Sequence, residues 1–325
     1  MRRNSNCAIH CLSFALVLCA FVINAYPGDV QPPTAMTELP EIRTLWNFGD
    51  PSGSEQRFRE AHSAALTIGD ANYALEVDTQ IARALGLQGR FEEANSHLDG
   101  VEEKLDEAPN RVRIRYLLER GRVFNSSGQP AKGKPLFIDA WEVSRSADED
   151  SLAVDAAHMV AIASETDEQV AWNLKAMELA EASADPLAKN WIGALTNNLG
   201  WTFHDRGDSE KALEMFDRSL AFYSEKGLDP QARIARWSRA KILRVLGRTE
   251  DALGIQESLL KEFEEIGEVD GYVFEELGEC LLALDRAEEA KPYFHRAYEE
   301  LSKDDWLVQN ESDRLERIKR LSTSD

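Results

Sequence analysis

Between Leu199 and Phe216 the chain reads LGWTFHDRGDSEKALEMF, which sets His204 beside Asp205, Asp208 and Glu210 and embeds an Arg206-Gly207-Asp208 tripeptide. An imidazole among carboxylates is the raw material of a metal site or of acid–base catalysis, and the tripeptide has the form of an adhesion signal. A second stretch, GQPAKGKP from Gly128 to Pro135, has the glycine and lysine spacing of a phosphate-binding loop. Such a loop needs a preceding strand and a Ser or Thr to hold magnesium. Here a helical pattern precedes it, and Pro135 stands in the Ser/Thr place. The histidines His62, His97, His158, His204 and His295 form no HExxH and no paired ligand spacing. There is no GxSxG elbow and no CxxC pair. The expectation is therefore no catalysis, no cofactor and no metal.

The elements that position these residues recur along the chain. Take Ala94, Gly133, Ala212, Ala252 and Ala290 as anchors; twelve residues earlier stand Ala82, Gly121, Gly200, Ala240 and Gly278. Nine before the anchors come Leu85, Phe124, Phe203, Leu243 and Leu281, and five before them Gly89, Gly128, Gly207, Gly247 and Asp285. Four after them come Leu98, Phe137, Phe216, Gln256 and Phe294. Two helices joined by a short turn pack closely only where small residues meet. A glycine between them ends the first helix in a left-handed conformation that other residues resist. HDRGDSE thus reads as a turn: Gly207 ends one helix, Asp208 or Ser209 caps the next, and Ala212 packs back on Gly200.

In LTNNLGWTFHDRGDSEKALEMFDRSL and FEELGECLLALDRAEEAKPYFHRAYEEL the chain resembles the tetratricopeptide repeat family. The resemblance covers roughly residues 71–303. It implies an all-α fold, a right-handed superhelical solenoid of about six helix pairs with a concave groove. The steps average about 39 residues, against 34 in the family, and the third member, DAAHMVAIASETDEQVAWNLKAMELAEAS, lacks the turn glycine. The expected layout is a signal peptide over 1–25, a Pro-rich linker over 26–45 and an N-terminal capping helix region over 46–70. The repeat array then fills 71–303, and a C-terminal capping helix fills 304–325. The first cap is placed at Ser54 to Leu66 and the last at Glu311 to Leu321, where Leu315, Ile318 and Leu321 bury one face while Arg314, Arg317 and Lys319 stay wet.

On the first helix of each pair, the face opposite the packed small residues carries Arg83, Arg122, Asn197, Trp201, Trp237, Lys241, Arg244 and Tyr272. Two explanations are open. The cations neutralise neighbouring acids and the tryptophans pack between repeats; or the face is a peptide groove, with Asn on a ligand backbone, Arg and Lys on carboxylates, and aromatics as anchors. In the second case the partner is a protein or peptide with acidic groups, and Arg122 and Lys241 can be truncated without loss of stability. A ligand-sensing regulator and an accessory subunit of an envelope enzyme complex are the other functional readings.

A net charge of −21 argues against nucleic acid, whose phosphates require a basic footprint. Arg2 and Arg3, the apolar run from Ala8 to Val22 and the small Ala25 follow the order of a secretory signal, so the chain is expected to be periplasmic or secreted. An uncleaved anchor over residues 8–25 is the rival, and only then is a membrane involved. Cys7, Cys11 and Cys19 lie in this leader, leaving Cys280 alone in the mature chain, so no internal disulfide is expected. N-terminal sequencing of the exported protein should find a chain starting just after Ala25; recovery of Met1 or Arg2 would favour the anchor.

Overall fold

A computed structural model describes residues 39–323, and among these residues there is no strand. The expected signal peptide, residues 1–25, and most of the expected linker lie outside the described residues. The chain forms two compact units, residues up to Thr202 and from Phe203 onward. Residues Ile42–Leu45 form a 3-10 turn ahead of α1 (Pro51–Ile68). The pairs α2 (Ala71–Leu87) and α3 (Phe91–Glu102), α4 (Asn110–Ser126) and α5 (Pro130–Ser146), and α6 (Asp150–Ile162) and α7 (Thr166–Ala182) follow. After the single turn α8 (Pro186–Lys189) come α9 (Ile192–Asp205) and α10 (Ser209–Glu225), α11 (Asp229–Val245) and α12 (Thr249–Ile266), and α13 (Gly271–Ala283) and α14 (Ala287–Leu301). The short α15 (Asp305–Asn310) and α16 (Ser312–Thr323) complete the described chain. Six helix pairs between capping helices make an all-α repeat solenoid. The first member of each pair is called the A helix and the second the B helix.

The polar stretch around Gly207 is a joint. Gly207 has φ 79°, its N–H donates to the His204 carbonyl at 2.9 Å, and the Asp208 N–H donates to the Phe203 carbonyl at 2.9 Å. Asp208 caps α10, its carboxylate accepting from the Lys211 N–H at 3.4 Å. Asp285, the one non-glycine at this repeat position, adopts the same conformation with φ 58°; a short polar side chain tolerates it better than most. GQPAKGKP is likewise a turn and a helix start: Gly128 is left-handed after α4, and Gly133 lies inside α5.

The crossing of A on B explains which small residue is required. A Cβ on Gly121 would lie 2.4 Å from Phe137 Cε1, and one on Gly278 would lie 2.8 Å from Phe294 Cε1. A Cβ on Gly133 would lie 2.7 Å from the Gly121 carbonyl oxygen. The aromatic ring thus occupies the space that an A-helix side chain would take. Where the A position is alanine, a non-aromatic residue stands in the ring's place: Leu98 opposite Ala82 and Gln256 opposite Ala240, both fully buried. Neither amide atom of Gln256 has a hydrogen-bond partner, and nothing in the structure explains a carboxamide there.

Both ends are wetted as a solenoid requires. On α1, Phe58, Ala61 and Ala65 are buried, whereas Ser52, Gln56, Glu60 and Ser63 are exposed. This helix starts earlier than expected because Asp50 caps it, accepting from the Gly53 N–H at 2.9 Å, with Pro51 at its first position. Residues 40–45, read as the end of a linker, are docked, with Ile42 and Leu45 buried. On α16, Leu315 and Ile318 are buried and Leu321 is half-buried. Arg314 does not stay wet: it pairs with Glu275 and Glu311 and lies 5.4 Å over the Tyr272 ring.

Gly121→Ala should destabilise the chain by about 1–3 kcal/mol through overpacking against Phe137. Adding Phe137→Leu should recover part of that loss, since it recreates the Ala82–Leu98 combination. Thermal melts of the two single variants and the double check this; a double variant no better than the sum of the singles would contradict the crossing.

Candidate functional site

The A-helix faces are built by register. Residues one after the small position, and those three or four away along the helix, share one side of it. In the first unit this side presents Arg83 on α2, Arg122 on α4, and Asn197 and Trp201 on α9. Arg122 donates to Glu119 Oε1 at 2.7 Å and to Asp155 Oδ1 of the next A helix at 2.5 Å. Arg83 stands 3.6 Å from Glu119 Oε1, again across to the next A helix. Glu119 and Asp155 are almost sealed from water, at 1% and 6% exposure. Burial works against the Asp155 carboxylate, but Arg122 and Arg83 outweigh it and hold the group below its ordinary value. Arg111 and Arg115 reach back to Glu76 of α2 at 3.0 and 2.6 Å. Charged side chains thus tie successive A helices together.

Arg83 also lies 5.5 Å over the Trp46 ring and 5.2 Å over the Phe48 ring. Asn197 is 1% exposed, and its Nδ2 has no hydrogen-bond partner. Trp201, one turn further along α9, is half-buried.

The second unit repeats the arrangement. Arg244 on α11 grips Glu276 on α13 through two hydrogen bonds, Nε to Oε1 at 2.5 Å and Nη2 to Oε2 at 3.1 Å. Trp237 is 7% exposed; its indole donates to the Tyr272 carbonyl at 3.0 Å, and the two rings meet edge-on at 6.0 Å. Lys241 lies 5.2 Å over Trp237. From α16, Arg314 and Arg317 pair with Glu275 and Glu279 of α13. Burial, reinforced by Lys241, holds the His204 imidazole below its ordinary value.

Of the expected site residues, the structure links Arg83 to Arg122 through Glu119, gathers Trp237, Lys241 and Tyr272, and sets Asn197 and Trp201 one turn apart. Arg244 is turned to Glu276. Sequence reasoning missed the acids Glu119, Asp155 and Glu276. Their signal was present, since Glu119 and Glu276 stand two residues before Gly121 and Gly278, the small positions of their repeats. It also missed that His62 and His97 converge on Asp78, with nitrogen–oxygen distances of 3.3 and 3.5 Å. Among the described residues, no group of three such side chains is arranged to hold a metal ion. Cys280 is a buried free thiol that desolvation pushes up to about 12, so it is a poor nucleophile.

These contacts correct the expectation that Arg122 can be truncated at no structural cost. Removing one partner of a buried ion pair leaves uncompensated charge, so Arg122→Ala should cost about 3–5 kcal/mol. The pH dependence has a definite sign. A depressed carboxyl contributes stability above its unfolded pKa, 3.8 for an ordinary aspartate, and loses it as pH falls through the folded value. Melting curves from pH 7 down to 3 should show a steeper acid loss in the wild type than in Arg122→Ala; parallel profiles would contradict this.

Comparison with known proteins bears on the fold. Residues 193–218 match the family model for a tetratricopeptide repeat. No curated protein sequence matches the chain. Among solved structures, a signal-transduction ATPase with numerous domains and a tetratricopeptide repeat sensor, from Pyrococcus horikoshii, is 13% identical with a TM-score of 0.64. That likeness covers 83% of this chain but only 42% of the ATPase. NprR in complex with its cognate peptide NprX is 13% identical, with a TM-score of 0.54 over 98% of this chain and 85% of NprR. A Rap protein complexed with competence and sporulation factor is 18% identical, with a TM-score of 0.50 over 98% of this chain and 88% of the Rap protein. Identities this low speak for the fold alone. Residues 193–218 thus match a tetratricopeptide repeat in sequence, and the helix pairs before and after them give the chain the fold of tetratricopeptide-repeat proteins.

Proposed function

We propose that this chain is an exported, non-catalytic binding protein that holds a protein or peptide segment on its A-helix faces. The observation that carries this reading is Asn197. Its carboxamide is almost sealed from water on an A-helix face, yet Nδ2 donates to nothing. A buried donor left unmade is costly, and a carboxamide that turned outward on this face would gain a ligand backbone carbonyl as its acceptor. Half-buried Trp201 one turn away would supply an aromatic anchor. Support also comes from the fold's likeness to NprR and a Rap protein, whose structures hold the peptide NprX and competence and sporulation factor.

The reading refines the ligand's chemistry. Arg83, Arg122 and Arg244 each already face a carboxylate, so these arginines give no preference for acidic partners. Recognition would run chiefly through backbone amides and aromatic contacts. Export rests on residues 1–25, with the membrane-anchored form as the alternative. Among the described residues, no helix is long and apolar enough to cross a membrane.

The test is affinity capture with the mature chain, identification of the partner by mass spectrometry, and titration of that partner against variants. Asn197→Ala should weaken binding about tenfold or more at a temperature where circular dichroism shows the variant fully folded; tenfold corresponds to 1.4 kcal/mol. Undiminished binding by Asn197→Ala would remove the basis of the proposal.

A further inference from the structure

The first A helix already holds a segment that belongs to no helix pair and contains the 3-10 turn Ile42–Leu45. Residues 40–48, PEIRTLWNF, run along α2 and α1 and are read by side chains rather than by a helix partner. Tyr73 donates its hydroxyl to the Pro40 carbonyl at 2.7 Å. Arg57 Nε donates to the Leu45 carbonyl at 2.9 Å. Gln80 Oε1 accepts from the Trp46 indole at 3.0 Å. Ser54 Oγ accepts from the Asn47 N–H at 2.8 Å and lies 2.9 Å from the Asn47 carbonyl. The rings of Trp46 and Phe48 stack at 4.5 Å and 3°; Trp46 meets the buried Phe58 edge-on at 4.9 Å, and Arg83 lies over both stacked rings.

Two backbone carbonyls held by side-chain donors, an indole N–H taken by a carboxamide, and a guanidinium over paired rings make up a peptide-reading site. Gln80 and Arg83 sit at the A-helix positions that, on α4, hold Glu119 and Arg122. The same face that elsewhere binds its neighbour here binds a segment with little helix of its own.

We propose that α1 and α2 form a recognition site for a short segment carrying two aromatic residues two apart, occupied in the free protein by the chain's own residues 40–48. Chains with this chemistry compete with the resident segment, and its release uncovers the Arg83 guanidinium. This rests on the reading of A-helix faces as peptide-binding surfaces, but its test reads residues that capture of a partner through Asn197 does not involve.

The probe is a fluorescently labelled synthetic peptide spanning residues 40–50, added to full-length wild type, to Phe48→Ala and to Trp46→Ala/Phe48→Ala, with helicity followed by circular dichroism. The substituted chains should bind the peptide at least tenfold more tightly than the wild type, whose site is filled. Adding Gln80→Ala or Arg83→Ala should reverse that gain, and a peptide with both aromatics changed to alanine should not bind. Substituted chains that keep their helicity yet bind no better than the wild type would overturn the proposal. Loss of helicity in both would also overturn it, since residues 40–48 would then be a structural cap.

Discussion

The structure depends on one contact: a large B-helix side chain, aromatic or leucine in four of the five aligned repeats, lying on a residue of the A helix that has little or no side chain. At Gly121 and Gly278 the phenylalanine ring sits where a Cβ would be, so ring and glycine are one feature distributed over two helices. Close-packed interiors respond to even a methylene, so this pairing sets how near A and B approach. The distance in turn fixes which A-helix residues face away from the core. It explains why the small residues recur more faithfully than any charged group.

With A helices set side by side by that packing, their polar faces meet and are stapled by ion pairs. Arg122–Asp155 and Arg244–Glu276 join successive A helices in their own units, and Arg314 and Arg317 extend the pattern from α16. Such pairs are costly to bury, and once buried they are costly to break. The consequence for function is direct. Arg122 and Arg244, which look available in the sequence, are committed to the architecture, and the proposed recognition therefore falls to carboxamides and aromatic rings.

Much of the fold was legible in the sequence, because turns and crossings depend on local residue types. Gly207 takes its left-handed conformation for want of a Cβ, and Asp285 marks the same joint with a different residue. The third pair, which lacks the glycine, turns through residues 163–165 without a left-handed residue, and its register was correspondingly harder to see. The pairing of Arg122 with Asp155 was not legible, because it depends on how two helices 33 residues apart in the chain are juxtaposed. Nor was the docking of residues 40–48. A proline-preceded segment without periodicity reads as a linker, and only Trp46 and Phe48 hinted at burial. The Asn197 position was visible as a face residue, but its unmade hydrogen bond emerges only once its surroundings are built.

The most direct test of the A-helix reading is amide hydrogen–deuterium exchange of the chain with and without its captured partner. The account predicts that binding slows exchange most in the A helices, residues 192–205 and 229–245, with little change in the B helices, residues 209–225 and 249–266. Protection confined to the B helices, with the A helices unaffected, would contradict it.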